Sequence, residues 1–383
     1  MGNTINYFKI NIFRVLLSAL LLCFFQIQTV NAQHIKNSHE TENTKHSESW
    51  ENEVEEAEYN AGKEIINHII DSHEWHILTY KHTHVSIPLP VILIDEGKFV
   101  SFWSSKFHHG HDSYKGYTLM SDGDYKGKIV KINEAGEINS KLPFDISITK
   151  NVFALFISFA LICWIFISVA RTYIKRKGKA PKGLQSFVEP LILFIRDDIA
   201  KAAIGEKKYE KYLPYLLTIF FFIFINNLLG LVPFFPGGAN ITGNIAITGV
   251  LAIFTFAITS FSGNINYWKH IVNTPGVPWW LKVPIPLMPI VEIMGLITKP
   301  FVLMVRLFAN ITAGHIIILG FVSLIFIFGQ MNPVLGYGVS VVSIAFSIFM
   351  SLLELLVAFI QAYVFTLLSA LYFGMALEDS HKK

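Results

Sequence analysis

Residues 299–320 are KPFVLMVRLFANITAGHIIILG, and they place one arginine inside a long apolar run. That run begins near Ile285 and ends near Phe328. Arginine keeps its charge in proteins, and a charge near the centre of a bilayer costs roughly 3 kcal/mol or more. We therefore interpret Arg306 as a functional residue that another group must face. The alternative is an arginine that extends to the lipid headgroups or pairs within the helix bundle.

Helical geometry gives this segment two polar faces. At about 100° per residue, Asn310 and Glu292 each lie roughly 40° from Arg306, and Lys299 lies almost in line with it. His315 points to about the opposite face. The sequence thus predicts one polar stripe with four members and a separate face that carries a titratable imidazole.

The composition is that of a polytopic membrane protein. Of 383 residues, 52% are hydrophobic and only 15% are charged. Cys23 lies in a predicted signal peptide and Cys163 in an apolar segment, so we expect no internal disulfide in the mature chain. No dinucleotide fingerprint, P-loop or zinc-type cysteine cluster occurs, so we expect no bound nucleotide, no cofactor and no nucleic-acid partner.

The first 148 residues differ from the rest. Residues 1–32 resemble a cleaved secretory signal, because Lys9 and Arg14 precede a short apolar core; a retained anchor is the alternative. Residues 33–148 predict a small extracytoplasmic α+β domain, with a helix between about Glu53 and Ile70.

This predicted domain is rich in histidine. Residues 82–84 are HTH and residues 108–112 are HHGHD. Alternating imidazoles can converge on a metal ion. A soluble extension that happens to be rich in histidine explains the pattern too, and we predict no metal site.

Four apolar regions follow the first predicted span, residues 149–170. Six Lys or Arg residues in 171–183 place the end of that span in the cytoplasm, and residues 184–205 predict an amphipathic helix at that surface. Residues 212–236 cross back and contain Asn226 and Asn227, which should face the bundle or a hydrated cavity. A third span covers about residues 245–261.

The last two apolar segments, about 285–328 and 335–376, are each too long for an upright span. Either each contains two spans with a buried bend, or each is one strongly tilted helix. We favour a tilted hairpin, with Glu354 and Gln361 on one face of its second helix. The predicted fold is therefore an all-α polytopic membrane protein with about five transmembrane helices, preceded by the α+β domain.

The motifs RLFANITAGH and IQAYVFTLL, supported by NNLLGLVPF and ANITGN, resemble the a subunits of the membrane sector of F-type ATP synthases. The resemblance covers about residues 145–380 and implies a membrane domain over 149–383. It implies that Arg306 faces the ionised carboxylate of a rotating ring, with Asn310 one turn on and Gln361 facing the ring.

The same resemblance implies a coupled pair made of one imidazole and one carboxylate. Here the pair is His315 and Glu354, the reverse of the arrangement in some bacterial members, and the exchange retains both chemical groups. Glu292 matches an acidic residue on the access pathway. The lesser candidates for proton translocation are Asn226, Asn227 and Lys299.

The resemblance implies a non-catalytic, proton-conducting stator with two half-channels in a bacterial inner membrane. Its expected partners are a proteolipid c-ring, a b-subunit peripheral stalk, membrane lipid and, indirectly, the soluble ATP-synthesising sector. The N-terminal domain would be extracytoplasmic and the C-terminus cytoplasmic. Two alternatives remain: a self-contained ion channel or secondary transporter, and a membrane-anchored periplasmic metal-binding protein.

Overall fold

The computed structural model describes residues 61–377, except 81–82, 111, 121–122, 124, 134–137, 139–141, 233–236 and 273–286. The predicted signal peptide, the first part of the predicted helix at Glu53 and the last six residues lie outside that description. Five of the described helices are long and apolar enough to cross a membrane: Lys150–Lys175, Tyr209–Leu231, Ile245–Ser262, Pro289–Met331 and Pro333–Leu377. The predicted number of spans is thus confirmed for this part of the chain.

The residues before the first span form one helix and several short strands. Helix α1 covers Ala61–Ile69. The strands are β1 (Glu74–Tyr80), β2 (Thr83–Pro88), β3 (Pro90–Asp95), β4 (Lys98–Trp103), β5 (Ser113–Tyr114), β6 (Tyr117–Leu119), β7 (Ile129–Lys131) and β8 (Phe144–Asp145). They pair antiparallel in the orders β1-β2, β4-β3-β8 and β5-β6-β7.

A small core holds this domain together. Val91 and Leu93 of β3 are fully buried, and they pack with Phe107, Tyr117 and Ile129. Alternation along β3 puts these side chains on one face of the β4-β3-β8 sheet, as expected for a strand with one face on a core. The opposite face of the sheet does not pack on this core.

The domain is joined closely to the first span. Helix α2 covers Lys150–Lys175, and its second residue, Asn151, donates its backbone N–H to the Asp71 carboxylate at 2.9 Å. Trp75 is buried and packs edge-on against Phe153, with ring centroids 6.0 Å apart. Helix α1 also contacts the long helix that carries Arg306. The extension and the membrane helices therefore share one packed junction.

The predicted amphipathic helix over residues 184–205 is not one regular helix. The structure has α3 (Leu184–Phe194), a π-helical segment (Ile195–Lys201) and the short α4 (Ala202–Ile204). Within the π-helical segment Asp197 pairs with Arg196 at 2.7 Å and with Lys201 at 2.6 Å. The 3.6-residue periodicity cannot reveal the extra residue that a π-helix inserts, so the sequence did not predict it.

The remaining helices form the membrane bundle. They are α5 (Tyr209–Leu231), α6 (Ile245–Ser262), α7 (Ile265–Val272), α8 (Leu287–Met331) and α9 (Pro333–Leu377). Helix α9 packs along α8 and also contacts α5 and α6. Phe220 of α5 is fully buried and meets Phe359 of α9, with ring centroids 5.9 Å apart.

Helices α8 and α9 form the predicted hairpin. Each has 45 residues, and Asn332 alone separates them. Helix α8 continues through Pro300, and α9 is also continuous. The alternative in which each segment forms two spans joined by a buried bend is therefore wrong. A helix of this length measures about 67 Å, more than twice the roughly 30 Å hydrocarbon core. The strong tilt that this mismatch implies remains a prediction.

The hairpin turn provides a test of its close packing. A β-carbon on Gly336 would lie 2.7 Å from the Cα of Gly329. We expect Gly336→Ala to destabilise the protein by about 1–3 kcal/mol, because the two backbones would have to separate. Thermal unfolding of the purified protein measures this effect. Gly338→Ala, at a position with open space in the same helix, is the control and should be at least as stable as the parent, because alanine favours a helix over glycine; equal stability of both variants would contradict the prediction.

A buried ion pair in the extension predicts a pH dependence. The His73 Nε2 atom lies 2.8 Å from Asp145 Oδ2, and His73 is only 4% exposed. Burial lowers the pKa of His73, but the hydrogen bond and charge of Asp145, with Asp71 and Glu74, raise it more, so the pKa lies above 6.5. The contribution of protonated His73 to the free energy of unfolding is therefore fully present below pH 6.5. It is lost as pH rises through the higher pKa of the folded state.

The pKa of Asp145 moves the other way. Burial raises it, but the hydrogen bond and charge of His73 and the hydrogen bonds from Ser147 lower it more, to below 3.8. Its contribution is thus lost only in acid, as pH falls through that lowered pKa. The melting temperature of the parent should fall as pH rises above 6.5, because the protonated His73 is lost. In His73→Gln the melting temperature should depend less on pH over the same range. Identical profiles would contradict the assignment.

Candidate functional site

The two polar faces predicted for α8 are present in the structure. Arg306 and Asn310 are both exposed on the surface of the chain. Arg306 has no hydrogen bond or ion pair with any residue that the structure describes, although Tyr372 of α9 lies close enough to feel its charge. The charge of Arg306 therefore lies on an apolar surface, and the described part of this chain supplies no countercharge for it.

The other two members of the predicted stripe lie in a different environment. Lys299 is half-buried, and its Nζ lies 5.6 Å from the centre of the Tyr372 ring. Glu292 is also half-buried and lies near Tyr267 of α7. These two residues are less exposed than Arg306 and Asn310, because α7 and the ends of α6 and α9 pack beside this half of α8. Helical angles alone do not show which neighbours cover a face.

His315 and Glu354 meet between the two long helices. The distance from His315 Nδ1 to Glu354 Oε1 is 2.7 Å, and the two side chains are 13% and 5% exposed. His315 Nδ1 also lies 3.1 Å from the Ile311 carbonyl, and Nε2 lies 3.3 Å from the Gly230 carbonyl of α5. One imidazole nitrogen can thus exchange a proton with a carboxylate while the other faces α5.

Gly314 makes room for this pair, and sequence analysis did not single out this glycine or Gly230, which also lies beside the pair. A β-carbon on Gly314 would lie 2.9 Å from Glu354 Oε1, so an alanine there would displace the carboxylate. A β-carbon on Gly230 would lie 3.7 Å from the His315 ring, in ordinary contact. Small residues commonly allow close approach of membrane helices, and Gly314 directly before His315 was the available signal.

Asn227 joins three parts of the bundle. Its Oδ1 accepts a hydrogen bond from Thr242 Oγ1 at 2.6 Å, and its Nδ2 donates to the Ala358 carbonyl of α9 at 3.4 Å. Asn226 instead donates to the Phe222 carbonyl of its own helix at 2.7 Å. Both amides are buried, which confirms that they face the bundle. Thr242, which follows α5 in the connection to α6, was not recognised in the sequence.

The same connection also touches α8, because Thr312 Oγ1 lies 3.5 Å from the Gly243 carbonyl. Gln361, for which the resemblance implies a position facing the ring, is only 5% exposed and lies on the buried face of α9 that also carries Glu354. The polar groups near His315 therefore come from α5, the α5–α6 connection, α8 and α9. Some polar side chains of these elements carry a buried atom that forms no hydrogen bond with any described residue. These atoms are Asn226 Oδ1, Asn240 Nδ2 and Glu354 Oε2.

The histidine-rich extension supplies no cluster of three or more metal-ligating side chains among the residues that the structure describes. The side chains of residues 82, 84, 109 and 111 lie outside that description. The absence of a metal site in the HTH and HHGHD motifs therefore stays a prediction.

Comparison with known proteins matches both parts of the chain. A family model described as ATP synthase A chain matches residues 152–374, and one described as a domain of unknown function matches residues 64–149. "ATP synthase subunit a" of Chloroherpeton thalassium is 48% identical over 241 residues, which are 61% of this chain and 68% of that protein. "ATP synthase subunit a" of Pelodictyon phaeoclathratiforme is 43% identical over 281 residues, which are 70% and 78% of the two chains.

The hydrogen bonds of Asn227 predict a difference between the two neighbouring amides. Asn227→Ala removes two contacts between separate elements, and such bonds in membranes contribute about 0.6 kcal/mol each on average. We expect a loss of about 1 kcal/mol in thermal unfolding of the purified protein. Asn226→Ala removes a bond within one helix and should cost less. The prediction fails if Asn226→Ala is the more destabilising variant.

Proposed function

This chain belongs to the ATP synthase A chain family, and from that premise we propose that it is the proton-conducting stator of a rotary ATP synthase. In this role it provides two half-channels that load and unload the carboxylates of a rotating proteolipid ring. It performs no catalysis itself. The observation that carries the proposal is the arrangement of Arg306 on an exposed apolar face with the buried His315–Glu354 pair on the other side of α8.

The proposed role of Arg306 follows from its uncompensated charge. A cation on a lipid-depth surface is stable only beside an anion or in contact with water. A deprotonated ring carboxylate supplies that anion from outside this chain. The guanidinium then stabilises the ionised carboxylate, which favours release of its proton, and repels protons that would otherwise pass directly between the half-channels.

The proposed entry path runs through His315 and Glu354. Imidazole and carboxylate groups exchange protons in a range near neutral pH, and these two are close enough for direct transfer. Buried polar atoms in this region that have no hydrogen bond within the described residues would be satisfied by water molecules on such a path, since buried polar groups in proteins are commonly bonded to ordered water. Asn226 and Asn227 line the same region. Glu292, which the resemblance places on the access pathway, lies with Lys299 at the other half of α8, and in this proposal both suit the exit path instead.

Energetics explain why the stator acts on a ring with many sites. Moving one elementary charge through 100 mV supplies only about 2.3 kcal/mol, so several protons must be combined for each ATP. The stator must therefore pass protons singly to successive ring carboxylates. Its partners in this proposal are the c-ring, a b-subunit peripheral stalk and, through them, the soluble sector. The N-terminal domain lies outside the bacterial inner membrane and the C-terminus inside.

The alternatives lack comparable support. A self-contained channel or secondary transporter would commonly show matching halves with broken helices, whereas α8 and α9 are continuous. A membrane-anchored metal-binding protein would need only one or two spans, and the described residues alone contain five candidate spans. Co-purification with a small hairpin proteolipid distinguishes the stator from both alternatives.

Arg306→Ala is expected to abolish ATP-driven proton pumping in inverted membrane vesicles while the subunit still assembles. Arg306→Lys should also fail, because a lysine can release its proton and presents a more compact charge. Thr298→Ala is the control, since Thr298 is exposed on the same helix and its hydroxyl donates to the Met294 carbonyl of that helix. Normal pumping by Arg306→Ala would disprove the assignment.

Glu354→Gln is expected to lower proton flux several-fold more than it lowers the amount of assembled complex. The amide has nearly the shape of the carboxylate but cannot accept a proton from His315. Passive proton flux through vesicles stripped of the soluble sector measures proton transfer along this path. Ser351→Ala, one turn earlier and exposed, should leave flux unchanged. Equal flux in Glu354→Gln and Ser351→Ala would remove Glu354 from the path.

A further inference from the structure

One face of the β4-β3-β8 sheet is apolar and exposed. Phe99, Trp103 and Phe144 have exposed fractions of 69%, 58% and 54%, and Ile94 of 37%. The register puts them on one surface, because Ile94 pairs with both Phe99 and Phe144, and Pro90 pairs with Trp103. Sheets with one face on a core ordinarily present polar side chains on the other.

We call this surface the apolar sheet face and define it by the outward positions of the three strands. They are Pro90, Ile92, Ile94, Phe99, Ser101, Trp103, Phe144, Ile146 and Ile148. The last two extend β8 along β3, since Ile146 donates its N–H to the Ile92 carbonyl and Ile148 to the Pro90 carbonyl. Ser101 is the polar member of the set, so the face is apolar across three strands.

The apolar sheet face ends where the first span begins. Ile148 precedes the start of α2 at Lys150 by two residues, and its N–H bonds the Pro90 carbonyl at 3.1 Å. Trp103 is on the next strand, opposite Pro90. Neighbouring strands lie about 4.8 Å apart, so the Trp103 backbone lies about 10 Å from Ile148. The end of the sheet with the exposed tryptophan is therefore the end fixed to a membrane-spanning helix.

We propose that the apolar sheet face rests in the interfacial zone of the bilayer, on the side from which α2 enters, and binds phospholipid there. Tryptophan is suited to this zone, because its ring meets acyl chains while its N–H meets headgroups, and phenylalanine is common on the apolar faces of segments that lie in the interface. The covalent continuity with α2 keeps the face within reach of lipid at all times. The extension is then a domain that lies on the membrane and holds α1 against α8. The inference concerns α2 and the extension, so it stands apart from the proposed proton path.

Spin labels report the surroundings of the face in the assembled membrane sector. With Cys23 and Cys163 replaced by alanine, single labels are placed at Trp103→Cys, Phe99→Cys and the control Ser113→Cys, which is exposed on β5. The complex is held in vesicles of phosphatidylethanolamine and phosphatidylglycerol. We expect the label at 103 to collide several-fold more with oxygen, relative to a water-soluble nickel chelate, than the label at 113, with position 99 between them.

Two results would overturn the proposal. If the label at 103 meets the nickel chelate as readily as the label at 113, the face lies in water. If it is protected from both reagents, protein covers it, either residues 1–60 of this chain or another subunit. A second readout needs no cysteine: brominated phospholipid should quench more fluorescence in the parent than in Trp103→Phe. Equal quenching in these two proteins would also contradict lipid contact.

Discussion

The structure depends on one electrostatic constraint, a permanent positive charge on the apolar surface of a membrane helix. Arg306 is exposed, and the described part of this chain gives it no hydrogen bond or ion pair. The free energy of an isolated cation at that depth is unfavourable by several kcal/mol, so the arrangement is stable only with a counterion or water nearby. A ring carboxylate from another chain meets that requirement in our proposal, which makes the functional site incomplete in the isolated subunit.

The rest of the bundle keeps its polar groups on the inside. His315 and Glu354 lie between α8 and α9, and Gly314 leaves the space that the carboxylate occupies. Asn227 links α5 to α9 and to the connection that follows α5. Hydrogen bonds of this kind contribute little free energy individually, but they position the groups through which protons would pass. The long hairpin therefore separates a buried polar region that contains His315 and Glu354 from an exposed face that carries Arg306.

Periodicity and hydropathy predicted much of this arrangement. Five spans, the unbroken hairpin and the opposed directions of Arg306 and His315 follow from an apolar pattern interrupted by single polar residues. The environment of Glu292 and Lys299 did not follow, because it depends on how α6, α7 and α9 cover that half of α8. The π-helical segment and the fit of Gly314 against Glu354 also depend on tertiary packing, which a single sequence does not encode in a simple pattern. The apolar sheet face became visible only when strand register placed Phe99, Trp103 and Phe144 together.

The central claim is that the face with Arg306 meets a ring of small hairpin subunits. A photo-activated cross-linking amino acid at position 310, in the assembled complex, tests it most directly, with the same residue at position 312 as the control. Asn310 is on the exposed face, whereas Thr312 faces the α5–α6 connection. The account predicts an adduct with the proteolipid from position 310 and none from position 312. Adducts from position 310 with lipid or this chain alone would contradict it.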